Sequence, residues 1–337
     1  MDKKVIFAVA GSGKTTYIVD SLSNEKRSLI VTYTNSNFDN LSKKILSKFN
    51  DAWPENVSLM TYFQFLYSFC YKPFLSDRIK AKGIIYERNP DPRPTQADIR
   101  YYLSPERYLY SNRLSLFLEK AKIVEEIKAR IEKYFDDFII DEVQDIAGRD
   151  FNFLESLMDA KVNMLFVGDF YQHTFDTSRD GNVNQSLFND RATYEARFTN
   201  KGFKSDFTTL KNSWRCGYKI CKFVSDNLGI NISSNRSDGP DEPDILFIDD
   251  PSKLSIIMAD PSIVKLHYQK CYLFGPDHRN WGDTKGEDDY EDVCVLLNKN
   301  TAKLFRENKL SSLAPSTRNK LYVAITRAHR NVYFINE

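Results

Sequence analysis

The nine residues from Ala8 to Thr16, Ala-Val-Ala-Gly-Ser-Gly-Lys-Thr-Thr, constrain this chain of 337 residues more than any other feature. They follow an apolar run, Val5-Ile6-Phe7-Ala8-Val9, that reads as a short buried strand, and they lead into Thr16–Leu22, which reads as a helix. A strand, a glycine-rich turn and a helix in that order aim the positive end of the helix at whatever occupies the turn, and an anion suits it best. Gly11 and Gly13 let backbone amides close on phosphate oxygens without a Cβ in the way. The long cation of Lys14 can then reach the β- and γ-phosphates, and the Thr15 hydroxyl can take a Mg²⁺ coordination site. Ala10, Ser12 and Thr16 complete the expected cradle. Ala8 stands where the usual pattern begins with Gly. The chemistry points to a nucleoside triphosphate with Mg²⁺.

Such a ligand needs a second element that supplies carboxylates. Phe138-Ile139-Ile140-Asp141-Glu142 has the form of a central parallel strand whose C-terminal end delivers two acids to a nucleotide crevice. Asp141 is expected to hold Mg²⁺, directly or through water, and Glu142 to polarise the attacking water.

With these residues in place, Asp141-Glu142-Val143-Gln144-Asp145 and Val167-Gly168-Asp169-Phe170-Tyr171-Gln172 resemble motifs II and III of superfamily 1 helicases of the UvrD/Rep type. Leu29–Asn35 resembles motif Ia, Leu59–Gln64 the threonine-aromatic motif that follows it, and Leu210–Arg215 motif IV, with Trp214 where Tyr is usual. Thr284-Lys285-Gly286 resembles motif V and Leu321–Ala328 motif VI. The compact tail is similar to that of the GajB-like helicases found beside nucleases in anti-phage systems.

The resemblance implies two RecA-like P-loop NTPase cores, each an α/β unit of parallel strands with helices on both faces, and ATP in the cleft between them. Residues 1–64 and 135–205 would form the first core, 65–134 a small helical insertion in it, and 206–337 the second core. Arg215 and Arg327 would stabilise charge on the γ-phosphoryl group, Gln172 would sense that phosphate, and Gly286 would offer it a backbone N–H. Thr34, Asn35, Thr61 and Tyr62 match positions that contact single-stranded DNA, through phosphates and base stacking. The implied activity is ATP hydrolysis coupled to movement along or unwinding of DNA, with a nuclease or another defence-system protein as a partner. A regulatory ATPase that switches such a partner without travelling is the alternative. No glutamine motif of the kind that reads adenine precedes the cradle. Thr177, near Phe175, stands where a base-stacking Trp is frequent, and the ribose-binding acid is one of Glu287, Asp288 and Asp289. The roughly 68 residues between Arg215 and Thr284 are too few for a large 2B insertion.

Composition narrows the setting. A formal net charge of +1 excludes a globally basic nucleic-acid binder, so any strand track relies on local charge. Cations and aromatics interleave between Arg78 and Lys133, where Arg88, Arg93, Arg100, Tyr101, Tyr102, Arg107, Tyr108, Tyr110 and Arg113 fall. The 5 cysteines are scattered without a CxxC pair, which excludes a disulfide framework and suits a reducing cytoplasm. No apolar run approaches the ~20 residues that span a bilayer, and the first strand starts close to Met1, so neither a membrane anchor nor a secretory signal is expected. Within the insertion, the spacing predicts one helix over Leu114–Tyr134 with Leu116, Ile123, Ile127 and Ile131 on its buried side. Strands are predicted near Ile245–Ile248, Lys270–Phe274, Val293–Leu297 and Val332–Ile335.

Overall fold

A computed structural model describes residues 1–174, 181–237, 244–286 and 290–337. The positions of Phe175, Thr177, Glu287, Asp288 and Asp289 lie outside the described residues. The chain divides into two compact units. One comprises Met1–Ile6, Thr15–Gly168 and Asp176–Asp206; the other comprises Phe7–Lys14, Asp169–Phe175 and Phe207–Glu337.

The first unit is built on β1 (Lys3–Phe7), β2 (Ser28–Thr32), β3 (Val57–Thr61), β4 (Gly83–Ile85), β5 (Tyr108–Tyr110), β6 (Asp137–Asp141), β7 (Asn163–Gly168) and β8 (Lys204–Asp206). Six of these form one sheet in the order β3-β2-β6-β7-β1-β8, in which β2–β3, β2–β6, β6–β7 and β1–β8 pair parallel. Parallel neighbours need crossovers, and helices α1 (Lys14–Ser21), α2 (Asn35–Lys48), α7 (Gly148–Leu157) and α8 (Arg191–Thr199) lie in the connections. In register, Ile30 faces Leu59 on one side and Ile139 on the other, and Ile140 faces Phe166. All five residues of β2 are buried, as a strand covered on both faces requires. The first strand ends at Phe7, two residues short of the apolar run that announces it.

A one-turn helix α3 (Tyr62–Gln64) precedes the segment expected as a helical insertion, which holds a π-helical stretch Phe65–Tyr71, α4 (Lys72–Ile79), the parallel pair β4–β5, α5 (Ser111–Lys120) and α6 (Val124–Tyr134). The single helix expected over Leu114–Tyr134 is two. Lys122 adopts φ +57° between them, a left-handed turn that side-chain periodicity does not reveal. Leu116, Ile123, Ile127 and Ile131 are nonetheless all buried.

The second unit carries the short parallel pair β9 (Asn212–Ser213) and β10 (Ser233–Ser234). Its main sheet has the order β11-β15-β14-β12-β13, with β11 (Ile245–Phe247), β12 (Val264–His267), β13 (His278–Asn280), β14 (Val293–Leu297) and β15 (Val332–Asn336). Every pair in it is parallel. Helices α9 (Tyr218–Leu228), α10 (Pro251–Ala259), α11 (Lys299–Arg306) and α12 (Pro315–Ile325) connect or flank these strands. Val224, Leu266, Trp281, Val295, Tyr322 and Phe334 share its apolar core with Val9 and Ala10. The strand expected over Lys270–Phe274 does not form. Cys271–Leu273 is a single 3-10 turn entered through Lys270 at φ +63°. Its apolar residues are not core, since Tyr272, Leu273 and Phe274 are 76%, 65% and 53% exposed. The α/β expectation of parallel sheets with connecting helices holds.

Candidate functional site

The phosphate-loop residues Phe7–Lys14 belong to the second unit, where the chain runs beside 210–215. Val9 N–H donates to the Leu210 carbonyl at 3.0 Å, and Trp214 N–H donates to the Gly11 carbonyl at 2.8 Å. Gly11 sits at φ +67°, and a Cβ there would lie 2.6 Å from Arg215 Cβ and 2.8 Å from Ser213 Oγ. Glycine is therefore demanded twice, by the left-handed backbone and by the approach of the arginine-bearing segment. Gly13 follows at φ +87°. Ser12 and Lys14 are buried, and among the described residues Ser12 Oγ has no hydrogen-bond partner. A buried hydroxyl without a partner in a loop of turned amides fits an acceptor-rich ligand such as a polyphosphate.

Ala10 behaves differently from the rest of the cradle. Its N–H donates to the Tyr322 hydroxyl at 2.8 Å, a buried contact that joins the loop to α12. The Tyr322 hydroxyl in turn donates to Asp169 Oδ2 at 2.9 Å, while Asp169 Oδ1 accepts from Tyr171 N–H. Burial, together with the Asp169 charge, pushes the Tyr322 phenol far above its ordinary range. Tyr322 lies inside the motif VI resemblance, yet a buried tyrosine reads in a sequence as core.

The remaining expected residues of this unit are placed as follows. Gln172 is buried, and its carbonyl accepts from Lys285 Nζ at 3.2 Å. Arg215 is half-buried and donates to the Thr326 carbonyl at 3.1 Å, while Arg327 is buried and donates to the Thr284 carbonyl at 3.3 Å. Gly286 is exposed at φ +86°.

In the first unit, Thr15 is half-buried and Thr16 is exposed, its hydroxyl accepting from Lys44 Nζ at 2.7 Å. Asp141 is buried at the end of β6, and Glu142 follows at φ +55°, ψ +48°, a conformation that a non-glycine residue keeps only when its surroundings impose it. Gln144 Nε2 donates to Glu142 Oε2 at 2.5 Å. This turn leaves no room at the end of β7: a Cβ on Gly168 would overlap Gln144 Oε1 and lie 2.9 Å from Val143 Cγ1. The hydroxyl of Thr15 and the carboxylate of Asp141 are hard oxygen donors of the kind Mg²⁺ selects.

The strand-contacting expectations divide. Thr34 Oγ1 caps α2 by accepting from Asn37 N–H at 3.1 Å, and Asn35 is exposed. Thr61 is buried and forms a capping box with Gln64 around α3. Tyr62 is only 2% exposed. The rings that reach the surface are its neighbours. Phe63 is half-buried at 5.9 Å from the Tyr33 ring, and Tyr86 stands edge-on to Phe63 at 5.2 Å and is 69% exposed.

A parallel α/β fold with a glycine-turned loop, its lysine and threonine, and a strand ending in two acids defines a P-loop nucleotide-binding protein. The AAA domain family model matches residues 2–176, more than half of the chain, and the chain belongs to that family. No curated protein matches it. Its fold is shared with the complex of Arterivirus nonstructural protein 10 (helicase) with DNA, at 13% identity and a TM-score of 0.51, covering 99% of this chain and 60% of that one. A crystal structure of Arterivirus nonstructural protein 10 (helicase) gives the same identity and TM-score and is covered over 59% of its length. The chain thus spans about three fifths of the helicases it matches. Among the described residues, no helix is long and apolar enough to cross a membrane.

Proposed function

We propose that this protein is an ATPase stimulated by single-stranded DNA, a superfamily 1A helicase or translocase of the UvrD type. The observation that carries the reading is the pressing of Gly11 against Arg215, which sets an arginine-bearing segment beside the phosphate loop. In this reading the loop amides and Lys14 hold the phosphates, and Thr15 and Asp141 hold Mg²⁺, which neutralises charge on the phosphate oxygens when bound. Glu142, oriented by Gln144, polarises the attacking water. Arg215 and Arg327 stabilise charge on the transferred phosphoryl group, and Gln172 and Gly286 read that group's presence. Strand contact falls to Thr34, Asn35, the half-buried ring of Phe63 and the exposed ring of Tyr86. The DNA bound to Arterivirus nonstructural protein 10 supports a nucleic-acid ligand. The proposed organisation is two RecA-like cores, residues 1–64 with 135–205 and residues 206–337, with 65–134 inserted in the first, working in the cytoplasm.

A second reading, a regulatory ATPase that switches a partner nuclease in anti-phage defence, is favoured by the exposed apolar turn Tyr272–Phe274, a surface suited to a protein partner. Displacement of streptavidin from a biotin-ended single strand separates the two. ATP-dependent displacement from one end is the motor outcome; hydrolysis without displacement supports the switch.

A further inference from the structure

In the second unit, one hydroxyl joins three segments far apart in sequence. Tyr322, on α12, is fully buried. Its oxygen lies 2.8 Å from the Ala10 amide and 2.9 Å from Asp169 Oδ2. A phenol has one proton to give and lone pairs to accept with. The carboxylate can only accept, so the proton is committed to Asp169 and the oxygen is left facing the Ala10 N–H. Polarity is therefore set along the whole chain of contacts, and reversing either bond would leave a buried donor or acceptor unmet. The same helix end carries the candidate arginine. Thr326 donates both its N–H and its hydroxyl to the Tyr322 carbonyl, at 3.0 and 2.8 Å, and Arg327 follows directly. Asp169 begins the segment that ends in Gln172, whose N–H donates to the Asp169 carbonyl at 2.9 Å.

We propose that Tyr322 is the positioning residue of the phosphate loop: its hydroxyl, oriented by Asp169, pins the loop at Ala10 and ties it to the segments that carry Gln172 and Arg327. The catalytic part of this inference rests on the ATPase reading; the pinning of Ala10 does not. With the phenol in place the loop is held before nucleotide arrives, so its binding energy is not spent on ordering backbone. Without it, Ala10 N–H has no acceptor, Asp169 loses a donor, and the loop loses its register with the Gln172 and Arg327 segments.

The test is Tyr322→Phe in the full chain, which keeps the ring and removes the oxygen, measured beside wild type and a Lys14→Ala blank. Amide hydrogen exchange is followed at Ala10 without nucleotide, and kcat and KM for ATP are measured separately. The expected result is exchange at Ala10 faster by about 10-fold or more, with kcat lower by about 10-fold and KM changed by less than about 3-fold. A merely structural tyrosine would lower the melting temperature and leave that split unmoved. Wild-type exchange at Ala10, or unchanged kcat in a wild type that hydrolyses ATP, overturns the proposal. A wild type that does not hydrolyse ATP defeats the ATPase reading, and exchange at Ala10 then decides the pinning alone. Should Tyr322→Phe fail to fold, Asp169→Asn tests the same contact from the other side: faster exchange at Ala10 supports the pinning and wild-type exchange overturns it.

Discussion

At the phosphate loop of the second unit, the polar groups around Ala10 are buried and hydrogen-bonded to one another; on the aromatic face of the first unit, the threonine hydroxyls serve as helix caps and the rings of Phe63 and Tyr86 reach water. Ala10, Tyr322 and Asp169 form a fixed chain of hydrogen bonds, whereas Thr34 and Thr61 spend their oxygens on α2 and α3, and Phe63 and Tyr86 present their rings. Under the proposed function, the difference matches the ligand each region would meet. A triphosphate needs amides and cations held at fixed distances, which burial enforces. A single strand that is not read for sequence needs only flat, accessible rings and scattered charge.

Substitutions at the buried cluster should therefore act on chemistry, and substitutions on the exposed face on affinity. Lys14→Ala should give the largest effect, bringing ATP turnover to the blank, a loss of at least about 1000-fold. Glu142→Gln should match it in turnover while still binding nucleotide, and wild-type turnover in that variant would remove the water-polarising role. Arg327→Ala should lower kcat by about 100-fold with ATP affinity changed by only a few fold. An unchanged kcat would mean that burial of this arginine against the Thr284 carbonyl is structural only.

The aromatic face sharpens the contrast. Tyr86→Ala should weaken single-stranded DNA binding by about 5- to 10-fold in fluorescence anisotropy without changing the basal hydrolysis rate. Tyr62→Phe should leave affinity unchanged. If Tyr62→Phe weakened binding and Tyr86→Ala did not, the assignment of the stacking surface would be reversed.

The smallest effect concerns a histidine pair of the second unit, one ring buried and the other half-buried. His267 Nε2 and His278 Nδ1 lie 2.7 Å apart, and His267 Nδ1 lies 3.4 Å from Glu337 Oε1. Burial lowers both histidines from the ordinary 6.5, for His267 against the opposing pull of Glu337, and for His278 with the added repulsion of His267 and Lys265 against the pull of Asp277. The unfolded chain consequently takes up protons first as the pH falls. Stability is intact above about pH 6.5 and declines below it. Melting temperatures measured from pH 8 to pH 5 should fall more steeply for wild type than for His278→Gln, and equal slopes would discount the pair.

The same comparison shows what could be read from the sequence. Gly11 and Gly13, both at positive φ, and Asp141 at the end of β6 stand out in the sequence because phosphate and metal chemistry would call for those residue types at those spacings. The parallel strands were legible as apolar runs, β2, β6 and β14 most plainly. Tyr322 is not legible as a polar contact, because a buried phenol and a core ring look alike until the partner of the hydroxyl is known. Tyr62 and Phe63 are adjacent, and the one-turn helix after Thr61 decides which of them faces the interior. The left-handed residue Lys122 breaks a predicted helix and Lys270 opens a 3-10 turn where a strand is predicted, and neither lysine signals such a turn as glycine would. Tyr272, Leu273 and Phe274 form an apolar run that is exposed, a case in which hydrophobicity does not imply burial.

The central claim, that the buried phosphate loop and an exposed strand surface belong to one machine, is tested most directly by steady-state ATP hydrolysis with and without single-stranded DNA, with Lys14→Ala as the blank. The account predicts turnover above the blank that rises by about 10-fold or more at saturating DNA, in keeping with a nucleotide site coupled to a second ligand. Hydrolysis at the same rate with or without DNA would contradict it.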